Sequence, residues 1–147
     1  MARIEKILLA TDGSPASEPA SEQAIDLATQ VEARLLVVSV FGAASRPSEA
    51  AADSVTDSRA SLTSKAQAIV ARAKAAGVTA SFLVWEGDAG EAIVAAADAE
   101  TADIIVVGSH GRSGVSRFLI GSVSDYVVRH AHCPVVVVRG NPEAVRR

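Results

Sequence analysis

The stretch 103–138, DIIVVGSHGRSGVSRFLIGSVSDYVVRHAHCPVVVV, decides how the chain is read. It opens with a short apolar run, Ile104-Ile105-Val106-Val107, that breaks at Gly108. A glycine-rich loop follows, from Gly108 through Gly111 to Gly114. A second turn signal, Gly121-Ser122, launches a helical pattern from Val123 to Ala131, and Pro134 precedes a last apolar run, Val135 to Val138. The order is strand, loop of phosphate size, helix, strand.

Glycine lacks Cβ, so loop glycines reach φ > 0 and let a bulky anion approach main-chain N–H groups. Ser122 fits a helix N-cap, with Asp125 three positions on in the pattern of a capping box. A helix starting there directs N–H groups and a partial positive charge toward the preceding loop, which suits phosphate. One loop and one helix N-terminus can then hold the same phosphate chain.

The spacing carries a family resemblance. Gly108-x2-Gly111, nine residues, then Gly121-Ser122 resembles the G-x2-G-x9-G-[ST] signature of the universal stress protein family in its ATP-binding branch. Ile7 to Ser14, ILLATDGS, is similar to that family's first strand and acidic turn, and Ala131 to Arg139 to its closing strand. The resemblance implies a five-stranded parallel sheet in the order 3-2-1-4-5. It implies ATP with Mg2+ as cofactors, bound by Asp12 and Gly13, by the backbone of Val40 at the adenine, and by Gly108, Ser109, His110, Gly111 and Arg112. Gly121, Ser122, Val123 and Ser124 complete that implied site. Asp12 is assigned to ribose or, indirectly, to Mg2+ on the phosphates. A homodimer through the edge strand Val135–Val138 is implied as well.

Composition agrees with this class. A chain of 147 residues suits one domain with a proper core. Its apolar fraction is 49%, with aromatics at only 3%, which suits buried Val/Ile strands under Ala-rich helices. A formal net charge of -3 gives no general pull toward nucleic acid or anionic membrane. No apolar run approaches the ~18–20 residues of a membrane span. The first residues lack a signal-peptide pattern, and a single cysteine fits a reducing compartment, so cytoplasmic residence is expected.

The chain alternates. Residues 3–10 read as a strand ending in the turn cluster Thr11 to Pro15. Ser17 is an N-cap candidate that leaves Pro19 in the first helical turn, and Ala20, Ala24, Leu27, Ala28 and Val31 follow at helical spacing. Residues 33–40 form a continuous apolar strand. The stretch 42–56 has no periodic face and reads as an exposed, mobile connection. Leu62, Ala66, Ile69, Val70 and Ala73 give a second amphipathic helix that stops at Gly77. Residues 78–85 are the third strand, and Asp88-x-x-Glu91 opens a third helix. Strands alternating with helices argue for a single-domain α/β fold with a parallel sheet and helices on both faces.

Each candidate residue also has a plainer reading. Asp12 makes a turn with Gly13 and Ser14 in one, and in the other reaches a phosphate through a divalent cation. His110 is a general base or a local packing residue; no partner stands at a diagnostic spacing, which favours the second. Arg112 offsets phosphate or is solvated, and Arg117 carries still less. His130 and His132 suit the dipole at a helix end, and Cys133 reads as a small buried residue. The P-loop pattern, a G-x-G-x-x-G after the first strand and a nucleophile elbow are all missing. The leading expectation is an ATP-binding regulatory protein of the stress response, acting on a surface read by an unidentified protein partner. Two alternatives stay open: a slow ATPase or nucleotide transferase, and a stress interaction protein without nucleotide.

Overall fold

The computed structural model describes residues 3–42, 49–109 and 121–140, with the side chains of 49–58 outside that description. Five strands form one parallel sheet: β1 (Lys6–Ala10), β2 (Arg34–Phe41), β3 (Ala80–Glu86), β4 (Ile104–Gly108) and β5 (Val135–Val138). Their order is β3-β2-β1-β4-β5, with β1 paired to both β2 and β4. Four helices connect them: α1 (Glu18–Val31), α2 (Glu49–Ala75), α3 (Ala89–Ala99) and α4 (Ser122–His130). The expected order and count of elements are those observed.

Strand alternation explains the layers. In β1, Ile7 and Leu9 join Ala24 and Ala28 of α1 and Ala66 and Ile69 of α2 in one core. Leu8 and Ala10 turn to the other face, with Ile93 and Ala96 of α3 and Val127 of α4. Ile7, Leu8 and Leu9 are fully buried, and burying each such side chain contributes roughly 1.5–3 kcal/mol. A strand covered on both faces has no polar side, so its sequence reads as an unbroken apolar run.

Two helix ends follow the sequence closely. Asp88 caps α3, its carboxylate accepting the Glu91 amide at 3.0 Å. Past α2, Gly77 stands at φ +88°, and the Val78 amide reaches back to the Ala73 carbonyl at 2.9 Å, a left-handed glycine close.

Three expectations change. α2 begins at Glu49 and runs 27 residues, so the second half of the expected connection is helical; residues 43–48 lie outside the described residues. The stretch from Glu49 lacks an apolar stripe, but Ala50, Ala51 and Ala52 favour helix intrinsically. Ser17 precedes α1 as expected, yet makes no side-chain cap bond, because a 3-10 turn over Pro15–Ser17 aims its hydroxyl elsewhere. Cys133 is only half-buried, at the edge of the α3/α4 core.

Candidate nucleotide crevice

The first and fourth strands are neighbours in the sheet while their connections leave in opposite directions, which opens a crevice at their C-terminal ends. A cavity of about 310 Å3 lies there. Its lining comes from the end of β1 (Ala10, Thr11, Asp12), from β2 (Val38, Val40), and from the end of β4 (Val107, Gly108, Ser109). The first turn of α4, Gly121 to Ser124, and Ala89 and Ile93 of α3 complete the lining.

The turn after β1 is held by hydroxyls. Thr11 donates its Oγ1 proton to Ser17 Oγ at 2.9 Å, and Ser17 Oγ donates to the Ser14 carbonyl at 2.7 Å. The Gly13 amide donates to Thr11 Oγ1, and Ser39 Oγ donates to the Thr11 carbonyl at 2.8 Å. Asp12 Oδ1 accepts the Ser14 amide at 2.9 Å, so the carboxylate does make the local turn. Gly13 sits at φ +74°, and a Cβ there would stand 2.5 Å from Lys65 Cδ, whose stem crosses the turn from α2. The positive φ favours glycine at that position, and any side chain there would also have to displace the Lys65 stem.

The far side is built around Gly121. Its amide donates to the Ser109 carbonyl at 2.7 Å, while the Ser109 amide donates to Val138 and extends the β4–β5 ladder. The Gly121 carbonyl accepts the Asp125 amide at 2.9 Å and the Ser124 hydroxyl at 3.1 Å. Asp125 to Gly121 is the first rung of the α4 ladder, so the amides of Ser122, Val123 and Ser124 precede it.

This corrects the reading of that helix end. Gly121, not Ser122, is the N-cap, and no side-chain cap bond forms. Asp125 instead pairs with Arg129 one turn on, at 3.0 Å. Gly121 adopts φ -60°, so positive φ is not what calls for glycine there. Its amide is also spent on Ser109, which leaves the next three amides as the donors of this turn.

The structure thus gathers Asp12, Val40, Gly108, Ser109, Gly121, Ser122, Val123 and Ser124 around one cavity. Gly13 belongs to the Asp12 turn rather than to the lining. His110, Gly111, Arg112 and Arg117 lie outside the described residues. Sequence reading missed Thr11 and Ser17 as a linked pair, and missed the apolar wall of Val38, Ala89 and Ile93. Hydroxyls clustered around Asp12 were the available signal for the first; a wall of ordinary core residues carries none.

Among the described residues, Asp12 is the one titratable side chain in the cavity lining. His132 Nδ1 lies 3.0 Å from both Asp98 carboxylate oxygens, and His130 stacks on Tyr126 with ring centroids 4.0 Å apart. Among the described residues no group of three His, Cys, Asp or Glu side chains is arranged to hold a metal. No described helix is long and apolar enough to cross a membrane.

A doubly wound parallel sheet, with a cavity at its switch point lined by an acidic turn and a helix N-terminus, defines the class of open three-layer α/β domains. Within it, the chain belongs to the universal stress protein family, whose model matches residues 3–139. A universal stress protein of Methanocaldococcus jannaschii is 34% identical over 142 residues, covering 92% of this chain and 82% of that protein. Universal stress protein UspA from Lactobacillus plantarum superposes with a TM-score of 0.80 at 25% identity, over 95% of this chain and all of that one (100%). A universal stress protein solved in complex with cAMP gives 0.73 at 27% identity, over 94% and 98% of the two chains.

Proposed function

We propose that the cavity holds an adenine nucleotide, ATP accompanied by Mg2+, and that the chain acts as a regulatory binding module of the stress response. The observation that carries this reading is the first turn of α4. The amides of Ser122, Val123 and Ser124 precede the helical ladder, and all three residues line the cavity. Such amides, at the positive end of a helix dipole, suit an anionic phosphate. Elsewhere the lining is apolar, with Val38, Val40 and Ile93. A nucleotide has the same asymmetry, an anionic tail and a flat heterocycle. The relative bound to cAMP supports the choice of an adenine ring.

Asp12 supports Mg2+. A carboxylate facing phosphates is repulsive unless a divalent cation lies between them, and Mg2+ takes one or two carboxylate oxygens together with phosphate and water. One carboxylate in the described lining suits a metal that arrives with its nucleotide. Bound Mg2+ would neutralise phosphate charge; the chain's own residues bind and orient.

The nucleotide would bias the surface that a protein partner reads, in a cytoplasmic setting. The edge strand β5, with Val136 exposed, would pair with the same strand of a second copy to form a homodimer.

Calorimetric titration with ATP, ADP and AMP, with and without Mg2+, tests the reading. One nucleotide per chain with micromolar affinity is expected, tightest for ATP with Mg2+. Absence of binding by all three would overturn it. Hydrolysis faster than about one turnover per second would instead make the chain an enzyme.

A further inference from the structure

Trp85 is the chain's single tryptophan, and 49% of its surface is exposed, more than any other large apolar side chain among the described residues. It stands near the C-terminal end of the edge strand β3, directly in register with Val40 of β2. Val40 lines the cavity. Strand alternation fixes the direction of the indole. Phe82 packs into the α1/α2 core and Leu83 into the α3/α4 core, so Trp85, two residues past Leu83, rises on the α3/α4 face. Val40 packs on that same face. Register partners on one face of a sheet lie about 5 Å apart, within reach of an aromatic side chain.

The backbone holds Trp85 in this place. The β2–β3 ladder continues past it, with the Gly87 amide donating to the Phe41 carbonyl at 3.0 Å, and Asp88 then caps α3. Ala89, the first residue of α3, is itself in the cavity lining. Trp85 is therefore a neighbour of the lining on the strand side, held by a rigid strand rather than a loop. A large indole left half in solvent gains little from folding alone.

We propose that Trp85 forms the outer edge of the base subsite, its indole stacking on the flat heterocycle of a nucleotide whose ring lies over Val40. This rests on the nucleotide reading of the cavity and adds to it a residue that selects for the base. The phosphate amides of α4 select for charge; Trp85 selects for an aromatic ring and tolerates different bases, because every base presents a π-face.

The test pairs two probes, ATP and inorganic tripolyphosphate, against the native chain, Trp85→Ala and Trp85→Phe. Loss of a stacking partner is expected to weaken ATP about 5- to 100-fold in Trp85→Ala, with Trp85→Phe recovering most of the affinity. Tripolyphosphate, which has no base, should bind all three chains equally. In the native chain, ATP should quench the single indole's fluorescence saturably, and tripolyphosphate should not. Equal ATP affinity in native and Trp85→Ala chains overturns the assignment while leaving the nucleotide reading intact. A native chain that binds no nucleotide overturns both. Loss of tripolyphosphate along with ATP in Trp85→Ala would show a structural role and also overturn it.

Discussion

The amide of Gly121 donates to the carbonyl of Ser109 at 2.7 Å, so the chain leaves β4 and returns to α4 through points one hydrogen bond apart. Everything proposed for the cavity depends on that closure. It brings the end of a buried strand and the start of a helix to the cavity that the Asp12 turn also lines.

Gly121→Ser separates stability from binding at this point. The backbone at φ -60°, ψ 156° is open to any residue, and serine is a better N-cap than glycine. Stability should hold or rise by a few tenths of a kcal/mol, up to ~0.5. The added Cβ and hydroxyl would occupy the approach to the α4 amides, so ATP affinity should fall at least tenfold, a loss of about 1.4 kcal/mol. Thermal melts and calorimetry on the same preparation read both quantities.

Ser17→Ala should loosen the acidic turn. It leaves the buried Thr11 hydroxyl proton without its acceptor, although the Gly13 amide still bonds that oxygen, and it removes the donor to Ser14. A buried polar group without its partner costs about 1–3 kcal/mol, measurable as a lower urea midpoint with unchanged slope. An unchanged midpoint would mean that the hydroxyl chain is dispensable.

Much of this was legible in the sequence, for reasons that differ by element. β1, β2 and β4 announce themselves because burial on both faces leaves an unbroken apolar run, as in Ile7 to Ala10 and Leu35 to Val38. Gly77 marks the end of α2 because its φ of +88° suits glycine. The start of α2 was hidden, since the alanines after Glu49 give propensity without periodicity. The start of α4 was misread by one residue because a hydroxyl beside a glycine looks like a cap. Here the Ser124 hydroxyl turns back to Gly121 instead. Strand order came from family resemblance, since periodicity within a strand says nothing about its neighbours.

Gly90→Ala should be costly where the sequence shows only a small residue in a helix. A Cβ there would stand 2.7 Å from Tyr126 Cδ1 and 3.0 Å from Tyr126 Cβ, where α3 meets α4. Overpacking of this kind costs about 1–3 kcal/mol. Adding Tyr126→Ala should recover much of it, and a double-mutant cycle by denaturant unfolding reads the coupling.

Cys133 should be a slow thiol. Burial first, then the carboxylates of Asp98 and Asp103, push its pKa above the ordinary thiol value. Reaction with an aromatic disulfide near pH 8 should be slower than that of free cysteine, and faster in Asp98→Asn. The folded state holds the proton longer than the unfolded chain does. This contribution is present below the ordinary thiol pKa of about 8.5 and lost as pH rises through the raised value. Cys133→Ala should therefore lose less stability at alkaline pH.

The most direct measurement is an amide chemical-shift map of the 15N-labelled chain titrated with ATP and Mg2+. The largest shifts should fall on Ser122, Val123 and Ser124, with Ser109 moving alongside them. Saturable ATP binding that leaves those four amides in place, or moves instead the opposite end of the sheet around Lys6 and Arg34, would contradict the account.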